Sequence, residues 1–197
     1  MSIIDREFYN RPALVVARDL LGCTLVRMQS GQRLTGVITE TEAYQGEDDL
    51  GCHASAGKTP RTAVMYGVPG HAYVYFTYGM HWLLNAVVSP LGTPAAVLIR
   101  AIVPLEGRSQ MAENRPFNAG KTGWTDGPAK LTQALAIDGA FNTVDLCNPQ
   151  GNLWIEAGKP IPDRNVARSP RVGLNSVPEP WRSIPWRFVA HSGAWDG

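Results

Sequence analysis

Two carboxylates and a run of aromatic rings are the residues of this chain best suited to chemistry. Thr39-Glu40-Thr41-Glu42-Ala43-Tyr44 continues the apolar pair Val37-Ile38, and His53 follows nine residues after Tyr44. On a strand, side chains alternate between faces, so Glu42 and Tyr44 project to the same side and Glu40 shares it. A carboxylate beside an aromatic plane can hold a flat ring and activate water against it. The same pair also occurs in ordinary sheets, with the glutamate solvated and the tyrosine in the core. Alone, it decides little.

Gly70 to Asn85 carries the second concentration of rings. Residues 72–77 are almost all aromatic or β-branched, which favours a strand, and 82–88 is a second apolar run. Tyr78-Gly79 therefore falls at a hairpin tip, where glycine supplies the positive φ of a tight turn and Tyr78 is left at the apex. A large aromatic there is unfavourable in water unless something covers it. It can fold back over its own hairpin, or serve as a wedge between stacked bases entered from the minor groove. Asn85 lies within an apolar run, so its amide must find partners in the fold or on a ligand edge.

Positioning these residues takes a mixed α and β scaffold. Residues 12–21 read as a helix, with Pro12 in the first turn and Gly22 as the stop. Strands are expected at 23–28 and 34–44, and a short helix from Thr59-Pro60 to about Gly67. The hairpin at 72–88 and a strand at 95–103 follow, then helices near 105–113 and from Pro128. The last third, rich in Pro and Gly, reads as loops and short strands. No linker, repeat or low-complexity segment interrupts the chain, so one domain over 1–197 is expected.

Composition narrows the class without naming it. A hydrophobic content of 44% and six tryptophans suit a globular protein. The N-terminal residues lack a basic region followed by a long apolar stretch, so no signal peptide is read, and no apolar run is long enough for a membrane span. Cys23, Cys52 and Cys147 have no paired spacing and read as reduced cytosolic thiols. His71, His81 and His191 lack metal-ligand spacing and read as structural or surface residues. Lys and Arg number 18 against 17 Asp and Glu, a net charge of +1, which is low for a nucleic-acid binder. Five arginines between 163 and 187 (Arg164, Arg168, Arg171, Arg182 and Arg187) allow a local basic face, and the trio Glu47-Asp48-Asp49 opposes it.

Taken in order, the motifs become recognisable. Glu40-Thr41-Glu42-Ala43-Tyr44, His53, Thr59-Pro60-Arg61, Tyr73-Val74-Tyr75, Tyr78-Gly79-Met80, Asn85 and Leu98-Ile99-Arg100-Ala101 are followed by Pro104-Leu105-Glu106-Gly107, Gly127-Pro128-Ala129-Lys130-Leu131, Gln133-Ala134-Leu135 and Arg171-Val172-Gly173. The series resembles the alkyladenine (3-methyladenine) DNA glycosylase family, the type first described in mammals and found also in bacteria. The resemblance runs from about Phe8 to about Phe188, and it rests on joint order and spacing, each motif being short. The basic N-terminal extension of animal members is missing here, which implies a bacterial form. Gly51-Cys52 stand where animal relatives commonly carry two alanines.

The resemblance implies a compact α+β domain with a curved, mostly antiparallel sheet, flanking helices and a protruding β-hairpin. It implies a monofunctional glycosylase acting on alkylated or deaminated purines such as 3-methyladenine, ethenoadenine and hypoxanthine. Such an enzyme rotates the nucleotide out of the duplex and hydrolyses the N-glycosidic bond, leaving an abasic site for base excision repair. Glu42 would activate the water, and Arg100 would hold that water or a phosphate, unless it forms a structural ion pair. Tyr44, His53 and Tyr75 would form the stacking slot, which contributes roughly 1–3 kcal/mol per stacked base. Cationic purines would stack better still by cation–π attraction. Asn85 resembles the asparagine that crowds the exocyclic amino group of guanine. Tyr78 would be the wedge, and Arg61 and Lys130 would contact the DNA backbone. Only four lysines occur, and none but Lys58 is near the carboxylate motif, which argues against a Schiff-base lyase. No cofactor or catalytic metal is implied. The partner expected is double-stranded DNA bearing damaged purines, met by a cytoplasmic, nucleoid-associated monomer with no membrane contact.

Two other readings compete. A nucleoside hydrolase breaks the same bond in free nucleosides, commonly with an Asp cluster and calcium, for which Glu47-Asp48-Asp49 is the available cluster. A non-catalytic module recognising damaged DNA would need the rings but not a water-activating carboxylate.

Overall fold

The computed structural model describes residues 2–116, 121–191, 193 and 194. Among these residues eight strands pair antiparallel into one open sheet: β1 (Thr24–Gln29), β2 (Gln32–Gln45), β3 (Ala72–Thr77), β4 (His81–Val87), β5 (Ala95–Pro104), β6 (Leu153–Glu156), β7 (Val166–Ser169) and β8 (Arg187–Ala190). The main order is β3-β4-β5-β2-β1-β6, and the β7-β8 ribbon joins the sheet along β2. Among the described residues four helices flank it: α1 (Arg6–Tyr9), α2 (Ala13–Asp19), α3 (Arg108–Asn114) and α4 (Pro128–Ala134). The architecture is the α+β arrangement expected, with boundaries displaced by a few residues. The short helix expected from Thr59-Pro60 to about Gly67 is a 3₁₀ helix, Ala63–Tyr66, with Gly67 at its C-cap, and sequence reasoning missed α1.

Strand β2 is the spine. At fourteen residues it pairs with β1 along its first half, with β5 from Gly36 onward, and with β8 at Glu40–Glu42. Alternation along it is not continuous. Register shifts on both sides of Glu40 place one extra residue in each strand, Thr39 in β2 and Arg100 in β5. A bulge of this kind exchanges the faces of everything beyond it. Ile38 belongs to the main core, and beyond the bulge that face passes to Ala43 and to Thr41, whose hydroxyl donates to the Ala17 carbonyl of α2 at 2.7 Å. Glu42 and Tyr44 are thereby turned to the opposite face. Strand β5 does the same, with Val97, Ile99 and Ile102 in the core and Leu98 and Arg100 facing away.

The main core therefore lies between the sheet and α2 and α4, filled by Leu20, Leu84, Ile99, Leu131 and their neighbours. Each such fully buried aliphatic side chain contributes about 1.5–3 kcal/mol. A second, smaller cluster of Cys52, Ala54, Met65, Tyr73, Val87 and Ala96 lies on the other face, with Tyr44 and Tyr75 packed against it. At the sheet's edge, β3 and β4 are buried at their roots and exposed toward their tip. No helix among the described residues is long and apolar enough to cross a membrane.

Candidate active site

The face turned away from the main core holds a cavity of about 350 Å³. Tyr44 from β2, His53 from the 3₁₀ turn His53–Ala56, Tyr75 from β3, Asn85 from β4 and Arg100 from β5 all line it. Tyr78 stands at its mouth, and the first residues of α4, Pro128 and Ala129, complete the rim.

Glu42 lies one layer behind this wall and is fully buried. Its Oε1 accepts a hydrogen bond from the Val172 N–H at 2.6 Å. Its Oε2 accepts from the Tyr44 hydroxyl at 2.8 Å and from Arg100 Nη1 at 3.3 Å. Burial pushes the carboxyl up from its ordinary value, and Arg100, the Val172 N–H and the Tyr44 hydroxyl offset only part of that. Glu40 has a different setting. Its Oε1 accepts from Arg100 Nε and from Arg187 Nε, each at 2.6 Å, so Arg100 spans the two glutamates. The ion-pair reading of Arg100 and its place on the cavity wall hold together, because the bulge aims one side chain at both.

His53 Nδ1 is 2.9 Å from the Tyr73 hydroxyl, and the His53 ring meets Tyr75 edge-on at 4.6 Å between centroids. Burial, with the Arg61 charge nearby, lowers the imidazole to a pKa of about 4, so it is neutral near pH 7. Asn85 Nδ2 donates to the Tyr73 carbonyl at 3.0 Å, which satisfies part of its buried amide within the hairpin. At the tip, Tyr78 (φ 52°) and Gly79 (φ 66°) both adopt positive φ, and the Met80 N–H donates to the Thr77 carbonyl at 3.2 Å. Tyr78 is 81% exposed, so it extends outward rather than folding back.

Neither residue expected on the DNA backbone lines the cavity itself. Arg61 is exposed, with its guanidinium carbon 5.0 Å from the Tyr75 ring centroid. Lys130, in α4, pairs with Asp126 and donates to the Gly123 carbonyl at 3.1 Å, so its charge is shared internally.

Sequence reasoning missed the support behind Tyr44. Asp49, read only as one of an acidic trio, is fully buried in a two-pronged ion pair with Arg171, at 2.5 and 2.8 Å. Arg171 also donates to the Ala43 carbonyl at 3.0 Å, and its guanidinium carbon lies 4.7 Å from the Tyr44 ring centroid. This pair carries the backbone of Val172 to Glu42. The local basic face allowed by the arginines of 163–187 is thereby reduced. Arg171 is spent on Asp49, Arg187 on Glu40 and Arg182 on Glu179, while Arg168 stacks on Phe188. Tyr73 and His81 also line the cavity without a role expected from sequence, and His81 Nδ1 is buried with no hydrogen-bond partner among the described residues. Alternation from Tyr75 could have found Tyr73; Asp49 and Arg171 carry no such local signal. Among the described residues no group of three or more His, Cys, Asp or Glu is placed to hold a metal ion.

A ring-lined cavity over a buried carboxylate, beside a tyrosine-tipped hairpin, suits a DNA glycosylase, and comparison with known proteins agrees. A relative from Myxococcus xanthus, provisionally named 3-methyladenine DNA glycosylase, is 46% identical over 95% of this chain and 90% of its own length. One from Methanocella arvoryzae with the same provisional name is 47% identical over 95% of this chain and 92% of its own. The family model described as methylpurine-DNA glycosylase (MPG) matches residues 7–193, and the chain belongs to that family.

Proposed function

We propose that this chain rotates alkylated or deaminated purines out of duplex DNA and hydrolyses their N-glycosidic bond with water activated by Glu42. One observation carries the reading: the three groups that hydrogen-bond Glu42 (Tyr44, Arg100 and the Val172 N–H) all belong to residues of the cavity wall. Water entering between them meets a carboxylate whose basicity is raised by burial. The water oxygen attacks the sugar C1′, its proton passes to Glu42, and the base departs with the electron pair of the broken C–N bond. The anionic carboxylate also stabilises the positive charge that builds on the sugar.

Tyr44, His53 and Tyr75 stack on the extruded purine, and Tyr78 fills the gap it leaves in the duplex. A cationic base such as 3-methyladenine leaves as a neutral molecule, whereas hypoxanthine departs well only if protonated. Asn85, with its Nδ2 tied to the Tyr73 carbonyl, crowds the exocyclic amino group of guanine. Arg61 and Lys130 meet the DNA backbone. Among the described residues no lysine lines the cavity, which favours simple hydrolysis over Schiff-base lyase chemistry.

Base release from duplexes carrying one hypoxanthine, ethenoadenine or 3-methyladenine tests this. Glu42→Gln is expected to lose roughly 10²–10⁴-fold in rate while still binding the lesion duplex. Release that survives in the variant would remove Glu42 as the base.

A further inference from the structure

Both tyrosines of the slot carry a guanidinium on one face: Arg171 lies 4.7 Å from the Tyr44 ring centroid and Arg61 5.0 Å from that of Tyr75. The tyrosines line the cavity and neither arginine does, so the guanidiniums occupy the outer faces of the rings. Arg171 is fully buried and neutralised by Asp49. Arg61 is exposed and takes part in no ion pair among the described residues.

An aromatic ring attracts a cation through the negative charge on its faces. A guanidinium already seated on one face draws on that charge and leaves the other face a poorer partner for a second cation. Direct repulsion adds to this. Around the cavity Glu40, Glu42 and Asp49 are met by Arg100, Arg187 and Arg171, which leaves the Arg61 charge uncompensated within that group. Bare tyrosine faces would favour a cationic purine; tyrosines backed in this way favour it less.

We infer that Arg61, acting through Tyr75, is a positioning residue that biases the slot against cationic purines and toward neutral ones such as hypoxanthine. The inference rests on the proposed use of this slot for an extruded base. It makes Arg61 a determinant of lesion choice beyond any phosphate contact made by its outer side.

The test measures 3-methyladenine and hypoxanthine release from otherwise matched duplexes at pH 8, where His53 is neutral with or without Arg61. Arg61→Met keeps an apolar stem on Tyr75 and removes the charge. It is expected to shift the 3-methyladenine to hypoxanthine rate ratio about two- to fivefold toward the cation, and Arg61→Lys is expected to retain the wild-type ratio. Loss of both activities by one common factor would mark Arg61 as a phosphate contact alone and overturn the inference, as would an unchanged ratio. Failure of the wild type to release either base would overturn the proposed function and this inference with it.

Discussion

Tyr78 is held where a stable protein would not choose a tyrosine, and replacing it should strengthen the fold while weakening the enzyme. Its φ of 52° lies in the left-handed region, which costs an L-residue with a Cβ roughly 1–2 kcal/mol. Asparagine tolerates that conformation far better, so Tyr78→Asn recovers about 1 kcal/mol of this strain. Little is lost in exchange, because only a fifth of Tyr78 is covered. The difference in area that tyrosine and asparagine would bury there corresponds to roughly 0.3 kcal/mol at about 25 cal/mol per Å². The net gain expected is about 0.5–1 kcal/mol, which raises the urea midpoint by about 0.25–0.5 M for a slope near 2 kcal/mol per M. In the second arm, hypoxanthine release is followed from a duplex and from the same strand alone. Duplex release should fall at least tenfold, since nothing then props open the stack, while single-strand release changes less than about threefold. A lowered midpoint would refute the strain argument, and unchanged duplex release would refute the wedge.

Two further outcomes concern the support of the slot. Asp49→Asn leaves Arg171 as an uncompensated buried charge and should lower stability by about 3–5 kcal/mol, read from urea unfolding followed by tryptophan fluorescence. His53 should make the fold acid-sensitive. Its folded form takes a proton only near pH 4, whereas an unfolded imidazole takes one near 6.5, so between these values the unfolded chain binds more protons and stability drops as the pH is lowered. The wild type should therefore lose urea resistance from about pH 6.5 down to about 4 relative to His53→Gln; a pH-independent difference would argue against a neutral buried ring.

Local signals made part of the site legible. The two-residue spacing of Glu42 and Tyr44 put both on one face, and Tyr78-Gly79 between two apolar runs marked the hairpin tip, because both follow from rules acting over a few residues. Asn85 stood out as an amide within an apolar run, while resemblance to a known family supplied Arg100, which periodicity would not have singled out. The bulge beside Glu40 was not legible: it depends on how β5 meets β2 and changes which residues share a face with Glu42. The buried ion pair was equally hidden. Asp49 and Arg171 are 122 positions apart, and each looks locally like a solvated surface charge. Only their meeting beneath Tyr44 makes them interior residues.

The position of Glu42 has a consequence for how such a protein could search DNA. It sits on a strand flanked by β5 on one edge and β8 on the other, so exposing its amide to solvent exchange requires opening of the sheet around it. The turn around Tyr78 is closed by few backbone bonds and can open at small cost. Compliance is thus concentrated at the tip and stiffness at the carboxylate proposed to activate water. A tip that yields can be pressed against one base step after another, while the groups that must meet a damaged nucleotide keep their mutual distances throughout. Amide exchange slow at Glu42 and fast at Gly79 would be the signature of that division.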